Sequence, residues 1–159
     1  MELAHGGKFG AARSHTHADY SLIGPNDEVN AQGVPVRAMT EEQIMETAEA
    51  FGNAARLVKE AGFDMVLIHG GHGWLLGQFA SPYFNKRTDR WGGSLENRMR
   101  FSLLVIEKVR EAVKAIYEQC EATGLCENCP LCDRKDLSCD DLFECIPNTV
   151  SGGGLNDDK

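Results

Sequence analysis

The chain has 159 residues, of which 42% are hydrophobic and 25% charged, with a net charge of −8. That length suits one domain, or one and a piece, with a real core, and the composition excludes collagen, a coiled-coil rod and wholesale disorder. No run reaches the ~18–20 apolar residues of a membrane span, and an acidic chain lacks the basic stripe that nucleic acid requires. No apolar segment follows Met1-Glu2-Leu3-Ala4, so no signal peptide is expected and the chain is expected to be cytoplasmic. The charge is unevenly spread: residues 1–114 hold 14 acids and 13 Lys/Arg, whereas residues 115–159 hold 10 acids, 3 Lys/Arg and all six cysteines. Two pieces are expected, 1–114 and 115–159.

The first 39 residues read as loop, with turn chemistry at Gly6-Gly7, Gly24-Pro25-Asn26-Asp27, Gly33 and Pro35. A helix start follows. Thr40-Glu41-Glu42-Gln43 is a capping box, and the two glutamates suit the positive end of a helix dipole. Ile44, Ala48, Phe51, Ala55 and Val58 then share one face, so a helix is expected over 41–60, stopped by Gly62. Residues 63–69 are short and apolar between glycines, which predicts a parallel strand buried on both faces. A glycine-rich segment through Gly77 and a polar loop, 81–93, come next. Ser94 then caps a helix over 95–119 that is apolar around much of its girth. Helix–strand–loop–helix is the rhythm of an α/β fold, but only one strand is evident.

Two groups of residues could carry chemistry. His69 and His72 sit where the predicted strand runs into Gly70, Gly71 and Gly73. Ligands in α/β folds bind beyond the carboxyl ends of strands, and imidazoles there can stabilise an oxyanion or move a proton. The spacing alone favours one structural and one exposed histidine, and a metal site less still, since no third ligand is near. The second group is Cys126, Cys129, Cys132 and Cys139, with Cys120 and Cys145 flanking. Gaps of two residues allow a four-thiolate zinc site, and an iron–sulfur cluster is a related possibility. The same residues read equally as reduced or scrambled thiols, and a disulfide framework is a third alternative. His15-Thr16-His17 in a loop reads as accidental.

Four stretches, in order, resemble one family: His5-Gly6-Gly7-Lys8, Ala38 to Ile44, His69 to Pro82, and Asn85 to Phe101. They are similar to the old yellow enzyme family, and more narrowly to its bacterial NADH:flavin oxidoreductase and 2,4-dienoyl-CoA reductase branch. The resemblance covers about residues 1–113. It implies a TIM (β/α)8 barrel holding FMN at the carboxyl ends of its strands. NAD(P)H reduces the flavin, which passes hydride to an activated alkene of an enone or enoyl compound. It implies that His69 and His72 hydrogen-bond the substrate carbonyl. Glu2 stands where many members have a glutamine against the flavin pyrimidine, and a carboxylate cannot donate to the ring carbonyls. Trp74 stands where members have a proton-donating tyrosine, and an indole N–H is no usable acid.

A barrel of this kind needs ~250 residues. The resemblance therefore implies a fragment from about the end of strand 3 to helix 4, followed by an unrelated, Cys-rich and poorly structured segment. Such a fragment is expected to be inactive alone, or to need a chain that supplies the missing strands. The alternative is a small metal-binding or interaction protein that uses the cysteine cluster.

Overall fold

The computed structural model describes residues 1–10 and 22–123. Met1–Ile116 form one compact unit and Tyr117–Lys159 another; the architecture below is that of the first. In chain order it has β1 (Glu2–Leu3), a 3-10 turn at Gly7–Phe9, β2 (Leu22–Gly24), β3 (Glu28–Val29) and β4 (Pro35–Ala38). There follow α1 (Glu41–Glu60), β5 (Leu67–Ile68), α2 (Leu75–Ala80) and α3 (Leu95–Thr123).

The helices match the sequence signals closely. The Thr40 hydroxyl accepts from the Gln43 amide (3.2 Å), and the Gln43 side chain accepts from the Thr40 amide (3.0 Å). The box thus satisfies two donors that a helix start leaves open. Gly62, with φ +83°, lies just beyond the end of α1. The Ser94 hydroxyl accepts from the Asn97 amide (3.2 Å) at the start of α3. Of the expected apolar girth of α3, Phe101, Val105 and Val109 are buried, while Leu95, Leu103 and Ile106 are exposed.

The strands depart from expectation. Among its described residues, the supposed loop over 1–39 contains four strands of two to four residues, too short to show a period. β2 pairs in parallel with β4, and β3 pairs antiparallel with β4, making a small three-stranded sheet. The turn before β4 is held by Asn30, whose Oδ1 accepts from the amides of Gln32 (3.0 Å) and Val34 (2.9 Å). The strand expected over 63–69 narrows to Leu67–Ile68, and it is not alone. It pairs in parallel with β1, with Glu2 opposite Leu67 and Leu3 opposite Ile68.

Burial on both faces is also corrected. Val66 and Ile68 pack on the core, whereas Met65 (70% exposed) and Leu67 (53%) face away from it. Alternation along a strand sends these pairs to opposite sides.

α2 falls where only a glycine-rich segment was expected. Six residues are too few for a helical period, and Gly77 within them looks like a breaker. In the structure Gly77 has a packing role: a Cβ there would lie 2.9 Å from the Gly70 carbonyl oxygen. Gly52 does the same between α1 and α3, where a Cβ would lie 2.9 Å from the Lys108 carbonyl oxygen. The core joins Ile44, Ala48, Phe51 and Ala55 of α1 to Leu75, Leu76 and Phe79 of α2 and to Phe101, Val105 and Val109 of α3. Phe79 and Phe101 meet edge to face at 4.8 Å, a favoured geometry for two aromatic quadrupoles.

One polar side chain is embedded in this packing. Gln78 is fully buried. Its Nε2 donates to the carbonyls of Gly6 (3.1 Å) and Gly73 (2.6 Å), and its Oε1 accepts from the Lys8 amide (3.2 Å). Replacing it with an isosteric apolar residue strands all three backbone groups, each loss costing on the order of 1–3 kcal/mol where burial is complete. The Gln78→Leu variant is expected to lose about 2–4 kcal/mol of stability, read as a lower urea midpoint with an unchanged slope.

Candidate functional site

β1 and β5 run side by side and end together. The ladder extends one residue past β5, since the His69 amide donates to the Leu3 carbonyl (2.9 Å). His69 lies two residues beyond Leu67, the register partner of Glu2, so Glu2 and His69 share a face. That face is the one turned away from α1. The Glu2 carboxylate oxygen Oε1 contacts His69 Nδ1 directly. His69 Nε2 in turn lies 3.2 Å from His72 Nδ1.

The loop after β5 brings the second imidazole round. His72 adopts φ +53°, the only non-glycine residue with positive φ among those described, and Gly73 follows at +72°. Left-handed backbone costs an L-residue roughly 1–2 kcal/mol, so packing must hold it there. The Trp74 amide closes the turn on the Gly71 carbonyl (3.0 Å), and the Leu75 amide donates to the His5 carbonyl (2.9 Å). The start of α2 is thereby tied to the segment that follows β1. The His69 ring centre lies 5.1 Å from that of His72 and 5.3 Å from that of Trp74.

The structure thus gathers four of the sequence-derived candidates, Glu2, His69, His72 and Trp74, at the carboxyl ends of two parallel strands. Cys126, Cys129, Cys132 and Cys139 lie outside the described residues, as do His15 and His17. Among the described residues no group of three His, Cys, Asp or Glu is placed to hold a metal ion. Glu2, His69 and His72 stand in a line, with their polar atoms turned toward one another rather than toward a common point. Among the described residues no helix is long and apolar enough to cross a membrane.

Other polar residues hold this site without belonging to it. His5 is a third histidine at the strand ends. Its Nδ1 accepts from the Gly7 amide (3.0 Å), and burial lowers its pKa from the ordinary 6.5. Asn85 is buried, with Nδ2 donating to the carbonyls of Phe79 (2.8 Å) and Trp91 (2.7 Å). The Arg87 guanidinium donates to the Met39 carbonyl (2.8 Å) and the Pro25 carbonyl (3.2 Å), and its Nε donates to Asp89. That contact holds the Asp89 carboxyl below its usual range. Asn26 joins the same region from the small sheet, donating to the Phe84 carbonyl (2.6 Å) and accepting from the Lys86 amide (2.9 Å). The stretch 85–101, one of the four that resemble the family, therefore ties the small sheet to α2 and to the segment before α1. Sequence reasoning did not find these roles; Asn and Arg spaced two apart in a polar loop were the only signal.

The model of the NADH:flavin oxidoreductase / NADH oxidase family matches residues 1–117. The chain belongs to this family. A probable NADH-dependent flavin oxidoreductase of Bacillus subtilis is 42% identical over 112 residues, which are 70% of this chain and 30% of that protein. A cinnamate reductase of Clostridium sporogenes is 50% identical over 80 residues, half of this chain and 12% of that one. Old Yellow Enzyme from Pichia sp. AKU4542 superposes with a TM-score of 0.66 at 39% identity, covering 71% of this chain and 32% of that one. 2-Naphthoyl-CoA reductase in complex with 2-naphthoyl-CoA does so with a TM-score of 0.65 at 34% identity, covering 70% and 18%. The chain thus spans about a third or less of the relatives it matches, and its described fold is part of an old yellow enzyme-type barrel.

The Glu2 carboxylate accepts hydrogen bonds and donates none.

The pH dependence of stability follows from His5. Between pH 6.5 and its lower folded value, the unfolded chain binds a proton that the folded chain does not. Stability is therefore full above 6.5 and falls as the pH drops below it. The Asp89 contribution is lost only in more acidic solution, below its ordinary 3.8. Urea unfolding just above and about one unit below pH 6.5 is expected to show the loss in the parent chain and a smaller one in His5→Asn, whose amide can still accept from Gly7.

Proposed function

We propose that this chain carries the carbonyl-binding end of an FMN-dependent NAD(P)H oxidoreductase of the ene-reductase type. The substrate is an alkene conjugated to a carbonyl, as in an enone or an enoyl ester. The observation that carries this reading is the pair of imidazoles, His69 and His72, packed together at the carboxyl ends of β1 and β5. In a barrel those ends form the face where ligands are held. The names of the relatives support the substrate class, since cinnamate is itself a conjugated alkene.

FMN, when bound, supplies the hydride. The residues of this chain do the rest of the work assigned to them. The His69–His72 pair presents the carbonyl-binding end, with the His72 ring outermost and His69 behind it, and charge that develops on the carbonyl oxygen in the transition state strengthens that hold. Glu2 fixes His69 from behind and leaves its second oxygen for an imide N–H. Trp74 packs against the His69 ring, and an indole there does not act as an acid.

The described unit does not complete such a site by itself. One face of the β1–β5 pair is covered by the core, while Glu2, Met65 and Leu67 on the other face are exposed. In a closed barrel that face points inward and is covered by the other strands. The remaining strands are therefore needed for flavin to bind, whether from the same polypeptide or from a partner chain. Purified with excess FMN and desalted, the 159-residue chain is expected to retain far less than one equivalent of flavin by visible absorption. Stoichiometric flavin would overturn that expectation.

A further inference from the structure

We propose that Glu2, His69 and His72 form a proton-switched relay, in which Glu2 is the positioning residue. Without an added proton the relay presents a hydrogen-bond acceptor to the ligand, and with one it presents a donor. This rests on the function proposed above only for naming the ligand a carbonyl compound.

The order of protons follows from the two contacts. A carboxylate oxygen only accepts, so the proton between Glu2 and His69 sits on His69 Nδ1. In a neutral ring His69 Nε2 is then a lone pair. The 3.2 Å contact beyond it must be filled by a proton on His72 Nδ1. His72 Nε2, the end of the line, is left bare. A carbonyl oxygen has no hydrogen to offer it, so the neutral relay repels the very ligand that two histidines are expected to hold.

One proton reverses this. It enters at His72 Nε2, and the proton on His72 Nδ1 passes across the same contact to His69 Nε2. His69 becomes the imidazolium, with its charge beside the Glu2 carboxylate. His72 is neutral again but now carries Nε2–H, a donor. One proton is taken up, and each contact still holds one. The relay can later give that proton to an enolate oxygen and return to its accepting form, a task the Trp74 indole cannot perform.

The left-handed backbone of His72 supports the assignment, because it turns the ring back onto His69 at a position where glycine would be the relaxed choice. The other ionisable groups nearby are engaged elsewhere. The Met1 amino group donates to the Met65 carbonyl (3.0 Å), and His5 Nδ1 accepts from the Gly7 amide. Asp64 precedes β5, at the opposite end of that strand.

The test is the two-bond 1H–15N spectrum of the histidine rings in the full, flavin-free chain at about pH 8, above the ordinary histidine range. Both His69 and His72 are expected as Nδ1–H tautomers; Nε2–H in either ring overturns the proposal. In Glu2→Ala, both rings are expected to switch to Nε2–H with the amide spectrum of α1 unchanged, a signature that a merely structural role for Glu2 would not produce. His72→Asn serves as a second variant independent of Glu2: His69 should keep Nδ1–H, and its reversion would show that Glu2 does not set the order. Because no flavin is present, failure of flavin binding leaves this result standing, and the reverse holds equally.

Discussion

The site depends on one buried amide. β1 and β5 share only two ladder positions, too little pairing to fix the segments that leave their ends. Gln78 supplies what the ladder does not. It sits on α2, inside the core, and holds Gly6 and Lys8 from one strand exit and Gly73 from the other. A Cβ on Gly7 would collide with the Gln78 side chain at 2.5 Å, and Gly7 has φ +56°, so the exit of β1 is moulded around the amide. A buried, fully bonded polar group of this kind specifies one arrangement, because every alternative leaves a donor or acceptor without a partner. The imidazole line from Glu2 to His72 spans the same two exits and inherits that definition.

The same logic accounts for the polar side chains of the loop over 85–89. Asn85, Arg87 and Asp89 form a tight loop whose bonds go to backbone carbonyls and to one another. Arg87 reaches from this loop to Pro25 beside β2 and to Met39 before α1. A side chain that must satisfy several fixed backbone groups tolerates little change, since each lost bond strands a carbonyl.

Legibility in the sequence followed the range of the interactions involved. α1 was readable end to end because its signals are local: a capping box, a 3.6-residue period and a stop at Gly62. The short strands were not, because two to four residues carry no period and their pairing is set by partners up to 65 residues away. α2 was hidden by Gly77, whose missing side chain is a packing requirement rather than a helix break. The sequence offered His69 and His72 as a pair and Glu2 and Trp74 as single positions, without the contacts that join them. That Glu2 faces His69 follows from the register Glu2–Leu67, which no local pattern encodes.

That register also changes what a glutamate in this position means. As an isolated departure from a family pattern, Glu2 looks like a loss, since it removes a hydrogen-bond donor. Once β1 and β5 are aligned, the carboxylate is the terminal acceptor of a three-residue line. A glutamine amide in its place has two polar ends of opposite sense and leaves the direction of that line undetermined; a carboxylate fixes it. The indole at Trp74 lies against the ring that Glu2 contacts and supplies no acid. The two departures therefore meet on one ring, and in the proposed relay it is the imidazole pair that carries the proton.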